Sequence, residues 1–244
     1  MGFLHFHYPA VSSTNDVARE LLRDFPCVFV SALYQYRGRG RHGREWFGDL
    51  GQNVYCSLGI RHEHPLSAVE AASLLALGAL ALWDTVSRLT STPELFLIKY
   101  PNDLLGRCPD GSWRKLAGVL VEQVRGTAEH VSIIGIGLNV RQKTFPPSLV
   151  HTATSLALLG FDIAPETALQ SLKSALEALH TIPPAELVHR WRALLNIEGR
   201  RMVVSGKPGI WTARALHDDG KLELEQHGVR IFVTDGDSIR YVFS

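Results

Sequence analysis

Cysteine and metal-ligand patterns are scarce in this chain. The 244 residues contain three cysteines, Cys27, Cys56 and Cys108, an odd number without C-x-x-C spacing. The eleven histidines are scattered, with no H-E-x-x-H pattern and no Cys/His box. These absences argue against a disulfide framework and against the common zinc motifs. They predict a reduced, cytoplasmic protein without a dedicated metal site.

Charge imbalance and long apolar runs are also absent. Lysine and arginine number 25 against 24 aspartate and glutamate, so we expect no nucleic-acid partner. The segment from Met1 to Tyr8 is too short and too rich in histidine for a signal peptide. The most apolar stretch, Leu74–Trp83, is far shorter than the ~20 residues that span a bilayer. We therefore expect a buried helix there and no membrane association.

The familiar catalytic and nucleotide-binding signatures are missing as well. The chain has no G-x-x-x-x-G-K-[ST] loop, no nucleophilic triad and no paired carboxylates. Gly135-Ile136-Gly137 is followed by Leu138-Asn139-Val140 rather than by a third glycine that opens a helix, so the dinucleotide fingerprint fails. Any nucleotide must therefore be held in another way.

The most distinctive stretch that is present runs from Arg37 to Trp46. In it, four arginines alternate with three glycines. Glycine lets the backbone approach a ligand closely, and the arginine fork matches carboxylate and phosphate. Because such a loop has little to pack against, we expect it to be mobile without a ligand and to wrap a small anionic ligand. The alternative is an RGG-type segment that holds single-stranded nucleic acid, but this run is short and apolar segments flank it.

Hydrophobic spacing predicts a mixture of strands and helices. Strands are expected at Phe3–Tyr8, Cys27–Tyr34, Asn53–Ile60, Leu95–Tyr100, Lys115–Val124 and Glu129–Ile136, the last two joined by a turn at Arg125-Gly126-Thr127. Helices are expected after Ser13 or Thr14, from about Pro65 to Leu89, at Pro165–His180 and at Pro184–Leu195, with a polar loop at Gly106–Arg114. From Glu198 onward, short strands alternate with turn residues, which predicts a small β-barrel. We place the domain boundary between residues 195 and 196, giving domains 1–195 and 196–244.

A cationic set without an obvious general base remains as the candidate chemistry. It comprises Arg39, Arg41, Arg44, Lys115 and Lys99. Such groups suit phosphoryl or acyl-phosphate chemistry, in which the protein positions substrates and neutralises developing charge. For Ser13 and Thr14, helix capping and binding of a polar ligand head both remain open.

Several short segments, in order along the chain, resemble the motifs of biotin–protein ligases. They are Ser13-Thr14-Asn15; Gln35 with Gly38-Arg39-Gly40-Arg41, Gly43-Arg44 and Trp46; Asn53-Val54-Tyr55; Lys99-Tyr100-Pro101-Asn102-Asp103; Lys115-Leu116-Ala117-Gly118; Gly135-Ile136-Gly137-Leu138-Asn139; and Ala153-Thr154-Ser155-Leu156. The resemblance spans residues 12–156. It implies an α+β fold in which a mixed β-sheet packs with helices, as in class II aminoacyl-tRNA synthetases, plus a small SH3-like C-terminal β-barrel.

The resemblance also implies a two-step reaction. Biotin's carboxylate attacks the α-phosphate of ATP, supplied with Mg²⁺, to give biotinyl-5′-AMP and pyrophosphate. A lysine amine on a biotin carboxyl carrier protein then attacks that mixed anhydride. The carrier domain of a biotin-dependent carboxylase is the implied protein partner, and a homodimer is compatible with the resemblance.

Roles for individual residues follow from the same resemblance, with no metal ligands among them. The implied catalytic residues are Lys115 and Arg41. The implied biotin-binding residues are Ser13, Thr14, Asn15, Gln35, Gly38, Arg39, Gly40, Arg41, Lys115, Gly118, Gly135 and Gly137. The implied nucleotide-binding residues are Arg39, Arg41, Arg44, Trp46, Asn102, Lys115 and Asn139. For Asn102 and Asn139, a turn residue that caps its own backbone is an equal alternative.

Some features depart from the family's pattern. Tyr100 stands where the family usually has tryptophan, Arg37 adds a charge, and the Gly106–Arg114 loop is longer than usual. Only twelve residues precede Ser13, so we expect no N-terminal DNA-binding domain and no repressor function.

Two alternative functions remain. A non-catalytic module that binds nucleic acid or a carrier domain would have no need of Lys115 facing the loop. A lipoyl or octanoyl transfer protein of the same fold would lack the full glycine-arginine loop and would not need Gln35 as a polar partner.

Overall fold

A seven-stranded mixed β-sheet forms the larger part of the protein. In this computed structural model, residues 2–125 and 130–242 are described. The strands in chain order are β1 Leu4–Tyr8, β2 Cys27–Ala32, β3 Asn53–His62, β4 Phe96–Lys99, β5 Asp103–Arg107, β6 Trp113–Arg125 and β7 His130–Asn139. They lie in the order β1-β2-β3-β7-β6-β5-β4. Strand β1 is parallel to β2, and the other pairs are antiparallel.

Within the described residues, four α-helices pack on this sheet. They are α1 Thr14–Leu21, α2 Ala68–Thr90, α3 Pro165–Leu179 and α4 Pro184–Leu195. Helices α2, α3 and α4 contribute to one large hydrophobic cluster on the sheet. A smaller cluster lies under α1 and includes Ala18 and Leu22. Because both faces are covered, the central strands β3 and β7 are apolar and buried along most of their length.

The long helix α2 is the centre of the core. It begins with a capping box, in which Glu70 N donates to Ser67 Oγ (3.3 Å) and Ser67 N donates to Glu70 Oε2 (2.7 Å). By length and composition it could cross a membrane, with a mean hydropathy of 1.5 over its most apolar 18 residues. However, 61% of that window is buried inside the protein, and the core helices of soluble proteins pass the same test. The predicted buried helix at Leu74–Trp83 is thus part of α2.

A second, antiparallel sheet follows the helices. Its strands are β8 Arg201–Val204, β9 Ile210–Leu216, β10 Leu222–Gln226, β11 Val229–Val233 and β12 Ile239–Tyr241, in the order β11-β10-β9-β8-β12. Helix α4 ends at Leu195, and Asn196 terminates it in the left-handed conformation (φ 41°). A domain boundary at residue 195 or 196 stays a prediction.

The segment from Asp103 to Arg125 differs from the sequence-based prediction. The polar loop expected at Gly106–Arg114 is shorter, because Asp103–Arg107 forms strand β5, which pairs with both β4 and β6. Asp103, which belongs to the Lys99–Asp103 motif, is therefore paired with Gly118 of β6. Local turn signals do not reveal this pairing, because the two residues are distant in sequence. The turn predicted at Arg125-Gly126-Thr127 lies outside the described residues except for the first of these.

Candidate functional site

A large cavity lies where the two sheets meet. Its volume is about 740 Å³, within the range of ligand sites. The walls come from the start of α1, the glycine-arginine loop, strands β6 and β7, the segment Lys99–Asp103, and the turn before β12 in the C-terminal sheet. Of the residues implied by the resemblance, all line this cavity except Gly38, which is buried beside Gln35 and Trp46.

The start of α1 forms a polar wall of the cavity. Ser13 caps the helix by accepting from Asn15 N (3.3 Å). Thr14 donates both its backbone N–H (2.7 Å) and its hydroxyl (3.1 Å) to Gln35 Oε1. Because that oxygen already receives two donors, the amide nitrogen of Gln35 is the part available to a ligand acceptor. Capping and ligand binding are therefore compatible here, because Ser13 caps the helix and also lines the cavity together with Thr14 and Gln35.

The first half of the glycine-arginine loop is held firmly. The Arg39 guanidinium makes two-pronged contacts to Asp16 (2.7 and 2.9 Å) and to Glu122 (3.0 and 3.0 Å). Trp46 N also donates to Gly38 O (2.9 Å). The expectation that the loop has little to pack against is thus wrong for this half, because carboxylates from α1 and β6, remote in sequence, reach it.

The second half of the loop contacts the C-terminal sheet. Arg41 donates to Asn102 Oδ1 (3.1 Å) and forms an ion pair with Asp235. Arg44 donates to Asp237 Oδ1 (2.7 Å). Here too the structure corrects the expectation of an unpacked loop. These arginines face the cavity from a loop that two carboxylates of the C-terminal sheet hold in place.

One cluster of potential metal ligands was found among the described residues. It consists of His42, Asp235 and Asp237, whose ligand atoms lie within 4.8 Å of one another. Both carboxylates already pair with loop arginines, so a cation would compete there with two guanidinium groups. The cluster is better explained as part of the contact between the loop and the C-terminal sheet.

Lys115 stands on β6 opposite the loop. Its ammonium group lies 2.7 Å from Asp103 Oδ1 and 5.2 Å from the centre of the Trp46 ring. Lys99 also lines the cavity, with Nζ 3.4 Å from Gly236 O, and burial lowers the pKa of its ammonium group. The cavity thus presents two lysines at the end where the loop arginines lie, which suits an anionic ligand.

The glycines of β6 and β7 make room for side chains of the protein itself. A Cβ added at Gly137 would lie 2.5 Å from the Trp46 ring, and one at Gly118 would lie 3.1 Å from it. A Cβ at Gly135 would lie 2.3 Å from Asn15 Oδ1. The predicted approach of backbone to ligand at these glycines is therefore accompanied by a packing role, because the indole and the amide occupy that space.

The two asparagines expected near the nucleotide do not cap their own backbone. Asn102 donates to Val119 O (2.7 Å), and Asn139 donates to Thr154 O (3.0 Å). Both bonds join separate segments of chain and hold the cavity wall together. The side-chain oxygen of Asn102 accepts a hydrogen bond from Arg41, so the Asn102 side chain connects β6 with the loop.

Several residues that contact the site were not predicted from the sequence. Glu122 and Ser57 lie mid-strand, and Asp235 and Asp237 lie in a turn of the distant C-terminal sheet. None carries a local signal, because their roles arise from pairing between segments remote in sequence. Asp103 carried a signal, since it lies within a recognised motif, although its pairing with Lys115 was not foreseen.

A sequence profile identifies the family that this arrangement resembles. The profile of the Biotin/lipoate A/B protein ligase family matches residues 11–139. That range contains the start of α1, the loop, Lys115 and Gly137, and thus most of the cavity wall.

Curated relatives and solved structures agree with this match. The bifunctional ligase/repressor BirA of Escherichia coli K12 is 30% identical over 233 residues, covering 91% of this chain and 69% of that protein. The biotin–[acetyl-CoA-carboxylase] ligase of Mycobacterium tuberculosis is 33% identical over 227 residues, covering 88% and 80%. A biotin protein ligase from Aquifex aeolicus, solved in complex with biotin and ATP, has a TM-score of 0.68 at 22% identity and covers 99% of both chains. This likeness confirms the predicted α+β fold.

Proposed function

The chain belongs to the Biotin/lipoate A/B protein ligase family, and from that premise we propose that it is a biotin–protein ligase. It forms biotinyl-5′-AMP from biotin and ATP, with release of pyrophosphate. It then transfers the biotinyl group to a lysine amine on a carrier protein, with release of AMP. The relatives named as biotin ligases support the biotin chemistry. We propose that the carrier is the biotin carboxyl carrier protein of a biotin-dependent carboxylase.

The observation that carries this proposal is the division of one cavity into two chemically different ends. Amide and hydroxyl groups at the start of α1 form one end, which suits the uncharged polar ring of biotin. Lys115, Lys99 and Arg41 form the other end, which suits a carboxylate beside a phosphate. A volume of about 740 Å³ leaves room for both substrates.

The residues around the first end would bind biotin. In this proposal Ser13, Thr14, Asn15 and Gln35 supply hydrogen bonds to the ureido ring. Gln35 offers its amide nitrogen to the ureido oxygen, because Thr14 already occupies its carbonyl oxygen. Arg39 and four glycines complete this wall: Gly40 in the loop, and Gly118, Gly135 and Gly137 on the strands. Gly38 lies behind it, beside Gln35 and Trp46.

The residues around the second end would bind the nucleotide and carry out the chemistry. Lys115 stabilises the charge that develops as the biotin carboxylate attacks the α-phosphate. Arg41 and Arg44 bind the phosphate and adenylate oxygens, and Trp46, Asn102 and Asn139 line the nucleotide side. Mg²⁺ would enter with ATP, since this ion is usually held by substrate phosphates and one or two carboxylates.

A single labelling experiment tests the proposed reaction. The protein, labelled biotin, ATP with Mg²⁺, and the biotin-accepting domain of a carboxylase are incubated together. We expect label on one lysine of the acceptor domain, and none when that lysine is replaced or ATP is omitted. An acceptor that stays unlabelled with biotin, but takes up lipoate or octanoate, would refute the proposal. A homodimer and a cytoplasmic location stay predictions.

A further inference from the structure

We propose that Glu122 is a positioning residue that, together with Asp16, fixes Arg39 as a permanent anchor of the glycine-arginine loop. The side chain of Arg39 then serves to hold the loop rather than to bind the ligand's phosphate. The part of this inference that concerns biotin rests on the proposed function, whereas the anchor itself does not.

The hydrogen bonds of Arg39 leave little capacity for a ligand. Nε and Nη2 donate side-on to the two oxygens of Glu122, both at 3.0 Å. Nη1 and Nη2 donate end-on to the two oxygens of Asp16, at 2.9 and 2.7 Å. A guanidinium group has five N–H donors, so these contacts use four of them. Paired two-pronged contacts of this kind are the strongest that arginine makes with carboxylates.

Charge balance leads to the same conclusion. Arg19 lies 3.3 Å from Glu122 and 3.8 Å from Asp16, so two arginines face two carboxylates. The cluster is neutral within itself and offers no spare positive charge to an anion. Lys99, in contrast, donates to a backbone carbonyl at the cavity.

Glu122 also orients a side chain of the cavity's polar wall. Asn15 Nδ2 donates to Glu122 Oε2 (2.9 Å), while Asn15 Oδ1 accepts from the buried Ser57 hydroxyl (2.6 Å). These two contacts fix which end of the amide points to which neighbour. The missing Cβ of Gly135 leaves the space that this amide fills. One carboxylate therefore positions both the loop and the wall it adjoins.

The anchor divides the loop into a half held by the larger sheet and a half held by the C-terminal sheet. Arg39 is held by Asp16 on α1 and by Glu122 on β6, both of which belong to the part of the protein built on the larger sheet. Arg44 is exposed and is held by the C-terminal sheet. A fixed first half reduces the conformational entropy that the ligand must remove on binding. Loss of the anchor should therefore weaken substrate binding more than it slows the chemical step.

Limited digestion with trypsin tests the anchor without any ligand. Trypsin binds the arginine side chain at the cleavage site in its specificity pocket, so an arginine held by two carboxylates should be cleaved slowly. In the wild type we expect cleavage after the exposed Arg37 and Arg44 to precede cleavage after Arg39. The Glu122→Gln variant, of nearly equal size, should accelerate cleavage after Arg39 about tenfold or more, since it loses a charged two-pronged contact. Glu186→Gln, which removes an exposed carboxylate that pairs with Arg190 on α4, should change nothing.

Kinetics test what the anchor is for. For Glu122→Gln in biotin-dependent pyrophosphate exchange, we expect KM for biotin to rise about tenfold, with kcat at saturation nearly unchanged. Asp16→Asn weakens the contact of Arg39 with Asp16 and keeps the contact with Glu122, so it should raise KM for biotin by a smaller factor. It also replaces Glu122→Gln as the test variant if Glu122→Gln fails to fold.

The outcomes separate the anchor from the proposed function. Equal cleavage after Arg39 in the wild type and Glu122→Gln would overturn the anchor. Faster cleavage with an unchanged KM would overturn its role in binding. Faster cleavage in an enzyme whose wild type shows no biotin-dependent exchange would support the anchor and refute the proposed function instead.

Discussion

Lys115 is the residue on which the first chemical step depends in this account. Its ammonium group lies 2.7 Å from Asp103 and faces the Trp46 ring, so it is positioned from two sides. We predict that Lys115→Ala folds normally but loses adenylate formation by on the order of 10²-fold or more, because charge on the α-phosphate loses its stabilising donor. Lys115→Arg should not restore activity, since a broad fork cannot replace a compact charge.

Biotin-dependent exchange of pyrophosphate into ATP measures this step. Lys207→Ala, which removes an exposed lysine of the C-terminal sheet, is the matched control and should behave as the wild type. Normal exchange by Lys115→Ala would show that another group stabilises the reacting centre.

We propose that Arg41 has a different task, which is to retain the intermediate rather than to form it. It contacts Asn102, which follows β4, and Asp235, which precedes β12 in the C-terminal sheet. We predict that Arg41→Gly still forms biotinyl-5′-AMP but releases it much faster, since the loop loses its contacts with Asn102 and Asp235 and the fork that would bind the adenylate oxygens. The free anhydride would then acylate lysines of unrelated proteins, so biotin should appear on albumin in the same tube.

The neighbouring exposed arginine provides the control for this prediction. Arg37→Gly alters the same loop outside the cavity wall and should label the carrier alone. Strict labelling of the carrier by Arg41→Gly, with the intermediate retained, would assign retention to another residue.

At the scale of elements, local signals in the sequence predicted most of the fold. The capped start of α1, the helices that begin at Pro165 and Pro184, and the apolar run within α2 were all visible, because their signals lie within a few residues. Strand β5 was missed because it is short and follows a Pro-Asn-Asp turn signal. Its identity as a strand depends on pairing with β4 and β6, which no local pattern encodes.

Many residues of the candidate site could be predicted from the sequence, but the hydrogen bonds and ion pairs between them could not. The short motifs contain more than half of the residues that line the cavity, since each motif is contiguous in the chain. The partners of those residues could not be found in this way. Glu122 and Asp235 lie 83 and 194 residues from the arginines they bind, so tertiary structure alone brings them together.

The anchor of the loop should make stability depend on pH. The hydrogen bond from Arg39 lowers the pKa of Asp16; burial raises that of Glu122, but hydrogen bonds from Arg39 and Asn15 outweigh it and lower the pKa. Such carboxylates stabilise the fold above their ordinary pKa values of 3.8 and 4.5, and the contribution is lost as pH falls through the lower native values.

Urea unfolding of the wild type and Glu122→Gln at several pH values tests this dependence. We predict that the wild type is more stable by about 1 to 2 kcal/mol at pH 7, and that the difference shrinks towards zero below about pH 4. A difference that stays constant down to pH 3 would show that the ion pairs do not contribute.

At the scale of the whole molecule, the two sheets depend on each other through the segment that precedes β5. Tyr100 is 1% exposed, and its hydroxyl lies 2.8 Å from Gly220 O and 2.9 Å from Val233 O in the C-terminal sheet. Tyr100 N in turn donates to the hydroxyl oxygen of Tyr241 (2.9 Å) in strand β12 of the same sheet. The tyrosine that departs from the family's usual tryptophan thus connects the two sheets.

Removal of that hydroxyl should weaken the connection without creating a cavity. We predict that Tyr100→Phe lowers the free energy of unfolding by about 1 kcal/mol, because a buried hydrogen bond is lost. Tyr36→Phe, at a position that is 60% exposed, should have no effect. Urea denaturation compares the two, and equal stability of both variants would show that the hydroxyl contributes nothing to the contact between the sheets.

The most direct test of the central claim, that this cavity activates biotin with ATP, is pyrophosphate exchange with different acids. Wild-type protein, ATP, Mg²⁺ and labelled pyrophosphate are incubated with biotin, lipoate or octanoate. Gln35 and its neighbours favour a ligand with a polar ring, so we predict that label enters ATP with biotin and stays near background with the other two acids. Exchange that lipoate or octanoate supports and biotin does not would contradict the account.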